Sequence, residues 1–244
     1  MSDTPLYYIH HATPHSEDWK LAIRSRITTS QMLRILDYYN GQTSLDEVAL
    51  EIMGDMSPPP MNDALVWNRE HAREAREAHA KFHPTTTRLQ PGLLVNGKYP
   101  WLSHTPDDFT WSSEGVGMTL YKCPYSKSML RDPLPAHELQ LCYGGAVCEW
   151  TRPLIDYVVW TPSASAIKHY TPETMLVTRE VLTLKGLWDS YVLPRLSQFH
   201  SATLLPLLEQ RGLIADTIYA CPPTEYVAVR DPTQSVAELS ASFA

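Results

Sequence analysis

The chain has 244 residues, 43% of them hydrophobic, enough to bury a sizeable core in one domain. Its formal net charge of -7 excludes a uniformly basic nucleic-acid-coating protein, so any polyanion must be met by a local patch or a metal ion. No apolar run is long enough to span a bilayer, and the N-terminus lacks the basic-then-apolar pattern of a signal peptide, so a cytoplasmic or nuclear protein is expected.

Ser16-Glu17-Asp18-Trp19 has the chemistry of a helix start, and Thr29 to Leu36 carries apolar residues at helical spacing. Ser44 with Glu47 forms a capping-box pattern and starts a further short helix. The triple proline at 58 to 60 ends that helical stretch. Met61 to Phe82 has no Gly or Pro and is rich in Ala, Glu and Arg, which predicts a long helix. Its Glu/Arg alternation reads as a solvated face, with Trp67, Ala75 and His79 turned inward.

After Pro84 the pattern changes to short β-prone runs: Thr85 to Leu89, Leu93 to Val95, Trp101 to His104 and Gly117 to Lys122. A Pro-rich segment ending at Pro135 leads into a helix from Ala136 to about Trp150. Leu154 to Trp160 reads as a buried strand, with Ile167 to Tyr170 pairing beside it. From Glu173 to about Gln210 a long helical region is predicted, broken or kinked at Pro194 and Pro206, with Trp188, Val192, Leu196 and Phe199 facing the core.

This order predicts one α/β (α+β) domain over residues 1–244 with a central mixed β-sheet flanked by helices. It divides into an N-terminal helical part (1–62), a core (63–172), a C-terminal helical region (173–215) and a flexible tail (235–244).

The four cysteines form no C-x-x-C pair, which argues for reduced thiols rather than a zinc site. The informative segment is Thr105-Pro106-Asp107-Asp108, followed by Leu120-Tyr121-Lys122-Cys123-Pro124. Alternation along the second strand puts Met118, Leu120 and Lys122 on one face. A carboxylate on the first strand and an acid-x-Lys on the next would surround a scissile phosphate with a Mg²⁺ site and an ammonium. Here that acid is Leu120. Alone, Pro-Asp-Asp is also ordinary turn chemistry, and Lys122 an ordinary strand-end lysine.

The order of motifs resembles the lambda-phage exonuclease and YqaJ-type viral recombinase family of the PD-(D/E)XK nuclease superfamily. Trp19 followed by Arg26-Ile27-Thr28-Thr29-Ser30 is similar to its opening W, R and ITAS, and Trp67 to Arg76 to its helix WGxxxExxAR. Thr105-Pro106-Asp107 and Lys122-Cys123-Pro124 resemble TPDG and EIKCP, and Glu138-Leu139-Gln140 resembles QxQ. Tyr157 to Pro162 and the stretch from Leu187-Trp188 to Leu205-Pro206 resemble the versions in eukaryotic viruses and animals.

The resemblance implies a restriction-endonuclease-like core, Asp107 as metal ligand, Lys122 as catalytic lysine, Gln140 facing the site, and Arg24 or Arg26 with Ser30 contacting phosphate. It departs from the family at two metal-site carboxylates, whose positions fall on Ala72 and Leu120. Glu138 is the leading replacement, because some restriction enzymes of the superfamily carry their acid on that helix; Glu70, Glu74 and Glu114 fit less well.

The function implied is a DNA end-processing exonuclease of the recombination type, using Mg²⁺ or Mn²⁺. Its partners would be duplex DNA ends and a single-strand annealing recombinase in a viral context, with a homo-oligomeric ring permitted. The alternative is an inactive nuclease homologue that binds DNA, assembles recombination complexes or serves a virus structurally. A third reading keeps only the fold and acts on RNA or a nucleotide.

Overall fold

The structure is a computed structural model that describes residues 4–10, 12–38, 41, 44–58, 60–113, 115–125, 134–152, 154–161, 173–231, 238 and 241. The expected strand at Ile167 to Tyr170, the alternative acid Glu114 and nearly all of the tail lie outside these residues.

The central element is a five-stranded mixed sheet. Its strands are β2 (Thr87–Leu89), β5 (Asp108–Ser112), β6 (Gly115–Lys122), β7 (Leu154–Thr161) and β8 (Glu173–Glu180), in the order β2-β5-β6-β7-β8. Only β6 and β7 run parallel, and the crossover between them is α5 (Pro135–Val147). A second, antiparallel sheet joins β4 (Ser103–His104), β3 (Leu94–Asn96), β1 (Tyr7–His10) and β9 (Tyr226–Val229) in that order. The sequence reading contained neither β1 nor β9, and it expected one sheet where the structure has two.

The two faces of β6 are covered differently. Tyr121 packs with Val158, Trp160 and Ala75 under α4 (Asp63–Phe82), while Met118 joins Leu141 and Cys142 of α5 in the main core. Register carries this partition across the sheet: Asp108 pairs with Thr119 and faces α4, whereas Phe109 pairs with Met118 and faces α5. Likewise Tyr157 pairs with Leu120 and shares the α5 side with Lys122.

Local chemistry sets the helix starts. Ser16, Ser44 and Asn62 cap α1 (Glu17–Ile23), α3 (Leu45–Met53) and α4 by accepting backbone N–H groups three residues on. Helix α5 starts on Pro135, whose missing N–H costs nothing in a first turn. The remaining N-terminal helix is α2 (Thr29–Tyr38).

Two expectations need correction. Glu173 to Glu180 is a strand paired along β7 rather than the start of a helix, since its Thr and Val residues suit a pleated chain that finds a ladder partner. The helical run then goes from Val181 to Gln210 without a break at Pro194 or Pro206. It comprises a 3₁₀ turn (Val181–Leu184), α6 (Lys185–Leu187), α7 (Leu193–Phe199) and α8 (Leu205–Gln210), with π-helical turns at Trp188–Val192 and His200–Leu204. Each π turn comes just before a proline, where wider backbone spacing relieves the ring's clash with the preceding turn. As expected, Trp188, Val192, Leu196 and Phe199 are buried. A short α9 (Ala215–Ile218) precedes β9.

Candidate functional site

The site forms where the start of β5, the end of β6 and the inner stripe of α5 meet. Asp107 precedes β5, and its Oδ2 accepts the backbone N–H of Tyr121 at 2.8 Å, which ties the carboxylate to the neighbouring strand. One residue later Lys122 leaves β6 toward α5, and its Nζ donates to Gln140 Oε1 at 2.7 Å. Asp107 and Lys122 lie close enough that each charge moves the other's titration. Burial pushes the Asp107 carboxyl up, opposed by the Tyr121 N–H, Lys122 and Arg76. Burial lowers Lys122, opposed by Asp107 and Cys123. An anion placed between them meets an ammonium in a poorly solvated setting, where a charge counts for more than in water.

Helix α5 presents a stripe at i, i+3 and i+7. His137 Nδ1 lies 2.7 Å from the Tyr157 hydroxyl, Gln140 meets Lys122, and Gly144 lies against His104. A Cβ at Gly144 would be 3.0 Å from His104 Nε2, so the absent side chain lets this helix approach β4. His104 in turn shares a hydrogen bond of 2.8 Å with the Thr29 hydroxyl, which brings the N-terminus of α2 to the site. His104 and His137 are both lowered to about 4, first by burial and then by the Lys122 charge, so both are neutral at pH 7.

The N-terminus of α2 is held by its own network. Gln31 Oε1 accepts the Thr28 N–H, and Gln31 Nε2 donates to Glu51, which is paired with Arg34. Ser30 is exposed on the first turn, with its hydroxyl 3.1 Å from that of Thr28. Trp19 Nε1 donates to the Thr105 hydroxyl at 3.1 Å, joining α1 to the segment that carries Asp107.

Asp107, Lys122 and Gln140 therefore come together, and the other expected residues do not all join them. Glu138 is two residues from Gln140, which turns it about 200° around the helix from the stripe that faces Lys122. Its charge is not among those acting on Asp107 or Lys122. Arg26 is buried at 3% exposure and donates to the carbonyls of Ala22, Pro100 and Ala220, so its guanidinium is spent inside the fold. It borders a cleft of about 710 Å³ that none of Asp107, Lys122 and Gln140 lines. Arg24 is exposed at the end of α1, with its guanidinium against Gly54.

On the opposite face of the sheet lies a polar network absent from the sequence reading. Asp108 is fully buried, forms an ion pair with Arg76 at 2.7 Å and accepts from the Tyr121 hydroxyl at 2.9 Å. That hydroxyl also contacts His79 Nδ1 at 3.2 Å. Ala75 and His79 are buried as expected, but Arg76 belongs to this network rather than to a solvated helix face.

No protein-family model matches the sequence. No curated protein matches it either. Among solved structures, the chain is similar to LHK-Exo in complex with dAMP, with a TM-score of 0.60 and 16% identity over 81% of this chain and 98% of that one. It is similar also to an alkaline exonuclease (LHK-Exo) from Laribacter hongkongensis, with a TM-score of 0.59 at the same identity and coverage. The chain shares the mixed α/β fold of these two structures. Asp107 directly precedes β5 and Lys122 ends β6, with Leu120 two residues before it on the same strand.

Tyr157 stood in the run from Tyr157 to Pro162 without a role of its own, and His137 was missed by sequence reasoning. The signal was the helical period, since a residue three before Gln140 shares its face.

Proposed function

We propose that this protein processes DNA ends by hydrolysing phosphodiester bonds at the Asp107–Lys122–Gln140 site. The observation that carries this reading is the Lys122 ammonium, held 2.7 Å from Gln140 beside Asp107 in a largely desolvated site. Lys122 would stabilise the charge that develops on the phosphate, with Gln140 fixing the ammonium so that little reorganisation is needed. Ser30 and the free N–H groups at the start of α2 would receive a neighbouring phosphate. The likeness to an alkaline exonuclease, one structure of which is described in complex with dAMP, supports a DNA end as the substrate.

The donor set is sparse for a divalent ion. Among the described residues no three His, Cys, Asp or Glu side chains group to hold a metal. Among the described residues Asp107 is the one carboxylate whose charge acts on Lys122, with Leu120 and Ala72 in place of the acids the resemblance implies. Mg²⁺ or Mn²⁺, when bound through Asp107 and the substrate phosphate, would supply a more acidic water and neutralise charge. The chain's own residues do the rest: Asp107 is aimed by the Tyr121 N–H, and Lys122 and Gln140 hold the phosphate in place.

That sparse set favours a second reading, in which the protein holds DNA ends for a recombination complex without cutting them. Incubation with linear duplex DNA and Mg²⁺ or Mn²⁺ separates the two. Release of acid-soluble nucleotides that disappears in Asp107→Asn and Lys122→Met supports hydrolysis. DNA retention with no nucleotide release at any metal concentration supports the second reading and overturns the first.

A further inference from the structure

The loss of the strand acid at position 120 leaves a question of what stands beside Lys122 on that face. Register answers it. Leu120 pairs with Tyr157 and Lys122 with Val159 on the parallel neighbour β7, so Tyr157 rises from the sheet directly beside the position of the missing acid. The Tyr157 hydroxyl lies 2.7 Å from His137 Nδ1, and His137 shares the inward stripe of α5 with Gln140. His137 is only partly buried, and its Nε2 has no partner among the described residues.

We propose that His137, oriented by Tyr157, is a substrate-binding residue that donates a hydrogen bond from Nε2–H to a non-bridging oxygen of a phosphodiester held at Lys122. The Tyr157 phenol, pushed up to about 12 by burial, stays protonated, and in the tautomer proposed here its O–H donates to Nδ1 across the 2.7 Å contact. That tautomer carries the ring proton on Nε2, the nitrogen with no partner among the described residues. Beside Leu120, which offers no polar atom, the His137–Tyr157 pair places a neutral donor that addresses the phosphate directly. The two nitrogens thus have separate tasks, one fixing the ring and the other meeting the ligand. The inference rests on the proposed DNA-end reading and names a further contact in that site.

The test uses the full chain in EDTA, with a 5′-phosphorylated DNA duplex as probe and fluorescence anisotropy as readout, so that neither metal nor turnover enters. His137→Ala is expected to weaken binding roughly five- to tenfold, the effect of one lost hydrogen bond at a partly buried site. His137→Gln keeps a donor and should come within about twofold of the parent, while Tyr157→Phe, which leaves the ring unaimed, should fall between them. A set of duplexes with one methylphosphonate at each of the three terminal linkages locates the contact. At one linkage the substitution should weaken the parent protein and leave His137→Ala unchanged.

Equal binding by the parent and His137→Ala overturns this inference and leaves the proposed function standing. A loss in His137→Ala that is the same for every methylphosphonate duplex also overturns it, because a merely structural role would act that way. Failure of the parent protein to bind duplex ends at all overturns the DNA-end reading and this inference together.

Discussion

Lys122 and Gln140 meet across the gap between strand and helix at 2.7 Å, although they are eighteen residues apart in the chain. The contact fixes the phase of α5, because with Gln140 toward β6 the rest of its stripe must follow. His137 then faces Tyr157, and Gly144 faces His104. The contact also gives a partly buried ammonium an oxygen to donate to, which offsets part of the cost of removing it from water.

Replacing that oxygen should therefore be felt through Lys122. Gln140→Leu is expected to lower DNA hydrolysis about tenfold, against about 10²-fold or more for Lys122→Met. Burial already lowers the lysine, and loss of the Gln140 acceptor lowers it further, so the ammonium is lost at a lower pH. The alkaline limb of the rate profile should shift downward in Gln140→Leu. Rates measured from pH 7 to 10 for parent and variant check this, and an unchanged alkaline limb would count against the role given to Gln140.

The two carboxylates expected at the metal should behave differently. Asp107→Asn removes the acid held beside Lys122 and is expected to abolish metal-dependent hydrolysis. Glu138→Gln should change the rate less than about twofold, since the helical phase turns residue 138 away from Lys122. If the effect of Glu138→Gln equalled that of Asp107→Asn, the orientation of α5 described above would be wrong.

Much of this arrangement could be read in the sequence, and the failures have identifiable causes. That Asp107, Lys122 and Gln140 come together was legible because motif order and the strand and helix periods place them at one end of β5, β6 and α5. Strands β1 and β9 were missed because four-residue strands at opposite ends of the chain carry little pattern of their own and exist by pairing with each other. Arg26 looked like a phosphate ligand because a sequence does not show that three carbonyls, one of them at Ala220, will surround its guanidinium. Glu138 was chosen for its place on the same helix as Gln140, when two residues of separation turn it about 200° around α5 from the stripe that meets Lys122.

Four histidines should make the fold sensitive to mild acid. Burial lowers His104, His137 and His200 to about 4 and His79 to about 3, against an ordinary 6.5. The unfolded chain binds these protons first, so stability is fully present above pH 6.5 and declines as pH falls toward about 4. The raised carboxyls of Asp107 and Asp108 act in the opposite direction, because the folded state takes up their protons first. Four imidazoles outweigh two carboxyls over this range. Urea midpoints measured at pH 7.5, 6, 5 and 4.5 should fall steadily, and a flat series would contradict the burial of these rings.

The opposite face of the sheet provides a test of stability independent of activity. Asp108 is fully buried on β5, while Arg76 reaches it from α4 with its own side chain 38% exposed. Removing the arginine leaves a carboxylate that cannot be hydrated, with the Tyr121 hydroxyl as its remaining hydrogen-bond donor. Arg76→Leu is therefore expected to cost about 3 kcal/mol, near the lower end for a broken buried pair because the arginine itself is partly solvated. Asp108→Asn alone should cost less, since a neutral amide needs no counter-charge. The double variant Arg76→Leu/Asp108→Asn should be more stable than Arg76→Leu by at least about 1 kcal/mol, which a double-mutant cycle from urea denaturation measures directly. Strict additivity would mean that the two side chains do not interact, and that α4 is held to the sheet without this pair, by the packing of Ala75, Tyr121 and Trp160 and by the hydrogen bonds of Asn68 and His79.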